Sequence, residues 1–586
     1  MNYGGQPATF LGQTLATINR FVTLAAILAI VMAVITTRPY KVLNLTEETA
    51  PTSFDPAVVF DNRSLNIMGL IYEPLFQYHY LDRPYRAVPL LAQDFPEVLD
   101  EGKTYRLKIK EHVLYHPHPA LPGPREVKAQ DFILQIKRLL FPPLKSPGVN
   151  IFANLLGRAE YQKAVGHDWQ KIATTPLEGL IAEDDHTLVL KLSRPDVQMM
   201  NYLTLNFVVP LPEEVWLAEK NDLGQVEIGT GPFQVGRENN QEQLNLRRFK
   251  NYRIDHYPGR QAKAASLMDF LSAQNTTIPF LDEINYRFTL NEALIWELFQ
   301  NGNLDIITIP ARYISLFRSR EQQMPDSLSA AKAQKRYFTG HNLRWLAFNM
   351  QDPIFGKNLP LRQAIAHALN FREYFDRIAL SDQQAFSLFP PGILGHNPER
   401  RPPYGYNLAK AKNYMALAGH PRGEGLPALT FSTRGKSNFE LNEAEFIKTS
   451  LAKIGIQVNI EVLDFNEFLR RGRSGKLQFF VDNWFFDYPD PESILQLLIA
   501  QNYPGINKCG FQNDQIEELY QSLHQALPEE EKQQTVKRME DIVFQEVPWI
   551  ILSYARSYQL IRSELRNYHK SNFIHNGLKY VNRSWH

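Results

Sequence analysis

The chain has almost no cysteine and no large excess of either charge. It has a single cysteine, Cys509, among 586 residues, which excludes an internal disulfide and any CxxC redox or zinc motif. Its 63 Lys+Arg and 62 Asp+Glu leave a formal charge of +1, so no basic field exists that would attract nucleic acid. We expect Cys509 to be a small, partly buried residue near a turn.

Recognisable catalytic signatures are also missing. The sequence contains neither a G-x-S-x-G nucleophile elbow nor an H-E-x-x-H zinc motif. The Gly435-Lys436-Ser437 triplet lacks the first glycine of a phosphate-binding loop, since position 430 is threonine. His116 and His118 have no evident third ligand, so they are interpreted as ordinary loop histidines. No enzyme activity, cofactor or metal site is predicted.

What is present begins with an apolar run near the N-terminus. Residues 21–35 (FVTLAAILAIVMAVI) carry no charge and follow Arg20 directly. Such a run is typical of an export signal. No A-x-A cleavage site or lipid-accepting cysteine follows it, so we expect an uncleaved helix over residues 21–37, after a cytoplasmic tail of residues 1–20, with the rest of the chain outside. A cleaved signal and a free periplasmic protein are the alternative.

The whole chain has 44% apolar residues, enough for several hydrophobic cores, and after residue 40 it alternates strand and helix patterns. Residues 104–109 and 186–192 alternate as half-buried strands, and a helix is predicted from Asp131 onward. Pro360 is predicted to begin another helix. Residues 444–454 predict a helix that Gly455 ends, followed by a strand over 456–462. The fold class is therefore mixed α/β with several lobes.

One segment combines aromatic rings with acids where a strand ends. Residues 479–498 begin as an apolar strand and continue through Trp484, Phe485, Phe486, Asp487 and Tyr488 to two prolines. A carboxylate among rings is costly unless a cation faces it, so Asp487 either meets a cationic group or is an acid of the turn or helix start. Asp490, directly before a helix start, is interpreted instead as a helix cap.

A series of short segments occurs along the chain in a characteristic order: residues 71–75 (IYEPL), 89–92 (PLLA), 100–105 (DEGKTY), 128–131 (KAQD), 229–233 (GTGPF), 248–252 (RFKNY), 302–305 (GNLD), 348–350 (FNM), 361–364 (LRQA), 407–411 (NLAKA), 418–420 (AGH) and 484–491 (WFFDYPDP). Taken together in this order, these segments resemble family 5 of the bacterial extracellular solute-binding proteins, the oligopeptide- and dipeptide-binding components of ABC importers.

The resemblance implies a periplasmic-binding-protein-like fold (type II, cluster C), in which two lobes flank a cleft and a third, accessory lobe decorates one of them. The implied boundaries are residues 40–77, 208–336 and 555–586 for lobe I, 78–207 for the accessory lobe II, and 337–554 for lobe III. The cleft is expected to close over an extended ligand, whose backbone pairs with protein strands.

The resemblance also assigns roles to residues. Asp487 matches the acid that faces the ligand's α-ammonium, and Trp484, Phe485, Phe486 and Tyr488 surround it as ligand-binding residues. Gly229, Thr230 and Gly231 are expected to shape a turn near the hinge. The arginine that some peptide binders carry just before the tryptophan is absent here, where residues 480–482 read Phe-Val-Asp.

These features predict a periplasmic, monomeric, non-catalytic binding protein. Its expected partners are an oligopeptide or similar extended ligand, the permease subunits of an ABC importer and the inner membrane. The alternatives are the same fold with a non-peptide ligand, such as an oligosaccharide, metal chelate, haem or opine, or a membrane-anchored sensor or interaction protein.

Overall fold

The computed structural model describes residues 1, 39–236, 240, 242–258, 273, 275–317, 333–525 and 527–584. The predicted helix over residues 21–37 lies outside this set, as does the predicted tail before it apart from residue 1. Within the described residues, no helix has both the length and the hydropathy to cross a bilayer.

The strands and helices alternate along the chain. The strands are β1 (Val42–Glu47), β2 (Phe76–Tyr78), β3 (Ala87–Pro89), β4 (Glu97–Leu99), β5 (Thr104–Lys108), β6 (Leu180–Asp184), β7 (Thr187–Lys191), β8 (Phe233–Val235), β9 (Gln243–Arg248), β10 (Asp255–His256), β11 (Thr277–Ile278), β12 (Glu283–Phe288), β13 (Ile306–Thr308), β14 (Ala333–Thr339), β15 (Asn342–Phe348), β16 (Gln383–Gln384), β17 (Leu429–Ser432), β18 (Val458–Glu461), β19 (Phe479–Phe485), β20 (Trp549–Tyr554), β21 (Arg556–Arg562), β22 (Leu565–Arg566) and β23 (Asn582–Arg583). The helices are α1 (Asn62–Met68), α2 (Ala129–Leu139), α3 (Arg158–Val165), α4 (Lys171–Thr174), α5 (Met199–Tyr202), α6 (Glu213–Ala218), α7 (Glu292–Gln300), α8 (Ile314–Phe317), α9 (Leu359–Ala368), α10 (Phe371–Arg377), α11 (Leu408–Leu417), α12 (Asn438–Ala452), α13 (Phe465–Arg473), α14 (Glu492–Leu495), α15 (Asp514–Leu523) and α16 (Glu529–Glu546).

Sheets from three parts of the chain have separate hydrophobic cores. Early and late segments form a four-stranded sheet, β1-β12-β9-β8, and a three-stranded sheet, β13-β21-β14. The β4-β5-β7-β6 sheet packs with α2 in a second core, and the six-stranded sheet β16-β20-β15-β19-β17-β18 lies in the largest core. We call these three regions the first, accessory and third regions. The lobe boundaries drawn from the sequence stay a prediction.

The accessory region contains the strands and helix that the sequence predicts. β5 pairs antiparallel with β7, within a residue or two of the predicted ends. The helix begins at Ala129, two residues before Asp131, because Asp131 occupies its first turn. The Asp131 carboxylate accepts from the Lys128 backbone N–H at 2.8 Å and from Arg125 at 2.8 Å, which satisfies a free amide at the helix start.

The predicted helix–glycine–strand unit is present in the third region with shifted ends. α12 begins at Asn438, six residues earlier than predicted, and β18 ends at Glu461, so Val462 leaves the strand and is exposed. Gly455 has φ +87°, and a Cβ there would lie 2.0 Å from the Arg422 carbonyl oxygen. This turn therefore requires glycine on both counts.

The helix predicted from Pro360 is α9, with Pro360 in its first turn. Arg362 on it is buried and donates to the backbone carbonyls of Phe355 and Glu546, the latter at 2.6 Å. It therefore ties the end of α16 to α9, and this buried arginine has a structural role.

Two adjacent crossings connect the first and third regions. β14 leads into β15 through Gly340 and His341, and β20 leads into β21 through Ala555. The Gly340 N–H donates to the Ala555 carbonyl at 2.7 Å, so the two crossings lie side by side. Paired crossing strands of this kind are where a bending motion between lobes would concentrate.

Candidate functional site

The carboxyl ends of β17 and β19 meet at one edge of the six-stranded sheet. The two strands are parallel neighbours, with Ser432 opposite Phe480. The segments that follow these strands, residues 433–434 and 486–488, therefore leave the sheet on the same side. We call these two segments, with the strand ends before them, the carboxyl edge. In open sheets with parallel strands, ligands bind outside such strand ends.

Asp487 lies at the carboxyl edge, and its carboxylate is unpaired. Its backbone N–H donates to Ser493 Oγ at 3.1 Å, but its carboxylate has no hydrogen bond or ion pair within the described part of the chain. The side chain is exposed to solvent, yet the surrounding protein raises its pKa to about 6 by desolvation, with a smaller contribution from Glu492. A carboxylate that is exposed to solvent and yet desolvated by nearby protein is a candidate for binding a cation.

The two neighbouring acids, unlike Asp487, are fully paired. Glu492 is buried and accepts from the hydroxyls of Tyr488 and Tyr520, the latter at 2.5 Å. Asp490 accepts from the Glu492 backbone N–H at 2.9 Å and pairs with Lys532 at 2.6 Å. Asp490 is thus an acid of the turn before the helix, whose N-cap residue is Pro491, and Asp487 is the acid of this segment left for an external cation.

The four aromatic residues of the segment lie at different depths. Phe485 is 50% exposed and Trp484 is half-buried, so both can contact a ligand. Trp484 Nε1 is buried with no acceptor in the described part of the chain. Phe486 is 5% exposed and belongs to the core of the third region. Tyr488 is 6% exposed, with its hydroxyl donated to Glu492. The roles assigned to all four remain a prediction.

A tyrosine of the accessory region reaches the same place. Tyr202, at the end of α5, packs edge-on against Tyr488 with ring centroids 5.9 Å apart. Burial raises the pKa of the Tyr202 hydroxyl, and Asp487 is among the charged groups that raise it further. Tyr202 therefore lies beside the acid, a proximity that sequence patterns did not reveal.

Arg434 is the site residue that sequence reasoning missed. It follows β17 by two residues, stacks over the Phe465 ring at 4.7 Å and lies 3.5 Å from Asp482. Asp482 is already paired with Lys508 at 2.6 Å, so two cations share one carboxylate. The Arg434 side chain is 22% exposed and its guanidinium makes no hydrogen bond within the described residues. The carboxyl edge thus offers a cation as well as an acid.

The Gly229–Gly231 turn is packed tightly inside the first region. The Gly231 N–H donates to the Ile71 carbonyl at 2.8 Å, and a Cβ on Gly229 would lie 2.0 Å from the same oxygen. His116 donates its backbone N–H to the Gly229 carbonyl at 2.8 Å. The turn joins the accessory region to the first, away from the Gly340 and Ala555 crossings, and its assignment to the hinge stays a prediction.

The histidines and the cysteine have structural surroundings. His116 is buried, its Nε2 lies 2.9 Å from the Gly231 carbonyl, and burial lowers its pKa to about 4. Across the described ranges, no cluster of His, Cys, Asp and Glu is suited to a metal. Cys509 is more deeply buried than expected, 2% exposed, and desolvation raises its thiol pKa to about 11.

The raised pKa of Asp487 predicts that Asp487→Asn stabilises the ligand-free protein near neutral pH. The folded protein holds this proton more tightly than the unfolded chain, so protonation favours folding, and that contribution is lost as pH rises from about 4 to about 6. Above pH 6 the ionised carboxylate is a cost, which asparagine removes; solvent screening limits the gain to about 1 kcal/mol. Thermal unfolding at pH 7.5 and at pH 4 measures it: the melting temperature should rise at pH 7.5 and stay unchanged at pH 4.

Comparisons with known proteins agree with this architecture. Residues 86–503 match the family model described as bacterial extracellular solute-binding proteins, family 5 Middle. The chain is 22% identical to the dipeptide-binding protein of Escherichia coli (strain K12) over 551 residues, which cover 90% of this chain and 92% of that protein. It is 23% identical to the heme-binding protein A of Haemophilus influenzae, covering 89% of each chain.

Solved structures show the same fold. The periplasmic binding protein DppA from Helicobacter pylori, in complex with the peptide STSA, superposes with a TM-score of 0.66 at 23% identity and covers 92% of this chain and 98% of its own. The family match extends over most of the chain. It includes β17, β19 and Asp487, which form the carboxyl edge. The chain therefore belongs to the bacterial extracellular solute-binding proteins, family 5.

Proposed function

We propose that this protein is the periplasmic binding component of an ABC importer for short peptides and that it catalyses no reaction. The observation that carries the proposal is the unpaired, desolvated carboxylate of Asp487 at the carboxyl edge. The α-ammonium of a peptide supplies the missing positive charge, and a charge-assisted hydrogen bond in a closed, dry cleft is a strong interaction.

Arg434 supplies the complementary charge for the peptide's carboxylate. Because Ser432 is level with Phe480, Arg434 is level with Asp482, five positions before Asp487, which lies two residues past the end of β19. Five residues of extended chain span at most about 16 Å, and contacts at each end take up about 3 Å each, which leaves about 10 Å at most. A peptide of two or three residues fits this length at about 3.5 Å per residue.

The backbone of such a ligand can pair with protein strands, which gives affinity without reading side chains. Phe485 and half-buried Trp484 can then contact its side chains. The peptide-binding names among the relatives support this ligand class. One relative is named for binding haem, but no observed feature of the carboxyl edge corresponds to a haem site among the described residues.

Calorimetric titration with the dipeptide Ala-Leu, together with small-angle scattering, tests the proposal. We expect saturable heat and a smaller radius of gyration in the bound protein, because a ligand that binds the closed form better drives closure. Absence of both heat and compaction with a mixed library of di- and tripeptides contradicts it.

Arg434→Gln is expected to weaken binding of Ala-Leu by about 10- to 100-fold, because one charge-assisted contact to the ligand is lost. Ala-Leu amide, which has no carboxylate, should bind the variant and the unchanged protein with similar affinity. Arg473→Gln, on the exposed face of α13, is the matched control and should change neither affinity. Equal losses for the free acid and the amide would show that Arg434 does not contact the carboxylate.

Membrane attachment through residues 21–37 is part of the proposal. The uncharged run after Arg20 and the lack of a cleavage site support it. N-terminal sequencing of the protein extracted from membranes distinguishes the two cases: a retained start supports an anchor, and a start near residue 38 supports a free periplasmic protein.

A further inference from the structure

A cavity of about 500 Å³ lies in the first region, apart from the carboxyl edge. It is bounded by the end of β1, the start of α7, the end of β13 and the C-terminal segment 568–578, which we call the C-terminal strap. No residue of the six-stranded sheet lines it. Its volume falls in the range of pockets that bind small molecules, which is about 300–1,000 Å³.

Two opposite charges line this cavity, and the one aromatic contact between them among the described residues is that of Lys570 Nζ, 5.7 Å from the centre of the Phe338 ring. Glu47 comes from the end of β1 and Lys570 from the C-terminal strap. In the parts of the chain that the structure describes, neither side chain forms a hydrogen bond or an ion pair. Desolvation raises the pKa of Glu47 and lowers that of Lys570, and each charge partly offsets the effect of burial on the other. Two half-buried charges held apart in this way are costly unless another molecule lies between them.

Several other polar side chains of the cavity wall already have hydrogen-bond or ion-pair partners. His575 Nδ1 lies 2.9 Å from the Asn66 amide oxygen, and Gln559 donates to the Tyr568 hydroxyl at 3.2 Å. Burial lowers the pKa of His575 to about 4, so its imidazole is neutral at pH 7. Glu48, the neighbouring acid, pairs with Arg63 at 2.5 Å. Glu292, the remaining acid of the wall, pairs with Arg312 at 3.0 Å, so Glu47 and Lys570 are the two side-chain charges of the described wall that form no ion pair.

The uncharged surface of the cavity includes branched aliphatic side chains. Leu45, Ile295, Ile309 and Ile574 are among its lining residues. A ligand that matches the whole cavity needs an ammonium, a carboxylate and an apolar group.

We propose that this cavity is a second solute site, which takes a free α-amino acid with an apolar side chain: its ammonium binds Glu47 and its carboxylate binds Lys570. The inference goes beyond the peptide-binding function and does not depend on Asp487.

Calorimetry with three probes tests the proposal: leucine, leucinamide without a carboxylate, and N-acetylleucine without an ammonium. Glu47→Gln and Lys570→Gln should each weaken leucine binding by about 10-fold or more, because each removes one charge-assisted contact. Glu47→Gln should leave N-acetylleucine binding unchanged, and Lys570→Gln should leave leucinamide binding unchanged. Glu530→Gln, at the exposed start of α16 and outside the cavity wall, is the control and should have no effect.

Two results would overturn the second site. One is the absence of any leucine binding to the unchanged protein at millimolar concentration. The other is leucine binding that Asp487→Asn abolishes and that both cavity variants retain, since the amino acid then occupies the carboxyl edge. Loss of peptide binding in Asp487→Asn with leucine binding intact supports two independent sites.

A measurement on the unchanged protein avoids any variant that fails to fold. Crystals soaked in selenomethionine as the free amino acid should show an anomalous selenium peak inside the cavity. A peak only beside Asp487, or no peak, contradicts the proposal whatever the variants do.

Discussion

Asp487→Asn is expected to weaken binding of a peptide with a free amino terminus by about 100-fold or more. The substitution keeps the shape of the side chain and removes the charge that meets the ligand's ammonium. Truncating one partner of a desolvated charge pair costs about 2–5 kcal/mol, chiefly because the other charge is left buried and unpaired. Calorimetric titration with Ala-Leu at pH 7.5 measures the loss.

A ligand without an ammonium group is the first control for this effect. N-acetyl-Ala-Leu has no ammonium, so its weak binding should not fall further in Asp487→Asn. Asp185→Asn, on an exposed turn of the accessory region, should leave both affinities unchanged. If Ala-Leu binds Asp487→Asn as tightly as it binds the unchanged protein, the peptide's amino terminus lies elsewhere.

The pKa of Asp487 gives the same interaction a pH dependence. Ligand binding needs the ionised carboxylate, and in the free protein that form is lost as pH falls below about 6. Affinity for Ala-Leu should therefore fall below this pH. The Asn variant loses affinity at neutral pH while its melting temperature rises, as is common where binding requires a destabilised group.

Local sequence patterns predicted the site only in part. The acid, the rings and the prolines of residues 484–491 are contiguous, so Asp487 could be found from the sequence. Arg434 could not, because it lies 53 positions before Asp487 and is brought to the carboxyl edge by the parallel pairing of β17 with β19. Tyr202 comes from another region altogether and meets Tyr488 through tertiary packing.

The fold was predictable to a similar extent. Alternation gave β5 and β7, and the unit of α12 and β18 was found because a glycine at positive φ commonly follows a helix end, although α12 ends at Ala452, two residues before the predicted end. The end of β18 was misplaced because Val462 continues the alternating pattern although the ladder stops at Glu461. Periodicity reports which side chains alternate, whereas a strand ends where its partner ends.

Buried charge also connects segments that are distant in sequence. Glu73, from the IYEPL segment, is fully buried and forms a two-pronged ion pair with Arg253, one contact being 3.1 Å. It also accepts from the Tyr252 hydroxyl at 2.8 Å. Asp255 joins this group to the C-terminal Lys579 at 3.2 Å. Burial alone would raise the pKa of Asp255, but Lys579 and Arg253 outweigh it and hold the pKa at about 2.

Glu73→Gln is expected to lower the free energy of unfolding by about 3 kcal/mol, because it removes the closest counter-charge of the buried Arg253 guanidinium and leaves only the longer contact with Asp255, at 3.9 Å. Urea unfolding measures the loss at the first transition, since a chain with several cores need not unfold in one step. Glu183→Gln, which breaks the exposed ion pair with Arg106, is the matched control and should cost less than about 1 kcal/mol.

A double-mutant cycle separates the ion pair from other effects of the change. If the pair accounts for the loss, Glu73→Gln in an Arg253→Gln background should cost much less than in the unchanged protein, with a coupling energy above about 2 kcal/mol. Additive losses would mean that Glu73 acts through Tyr252 and packing instead. The ligand does not contact this network in the proposed binding mode, so each variant that still folds should bind Ala-Leu with unchanged affinity.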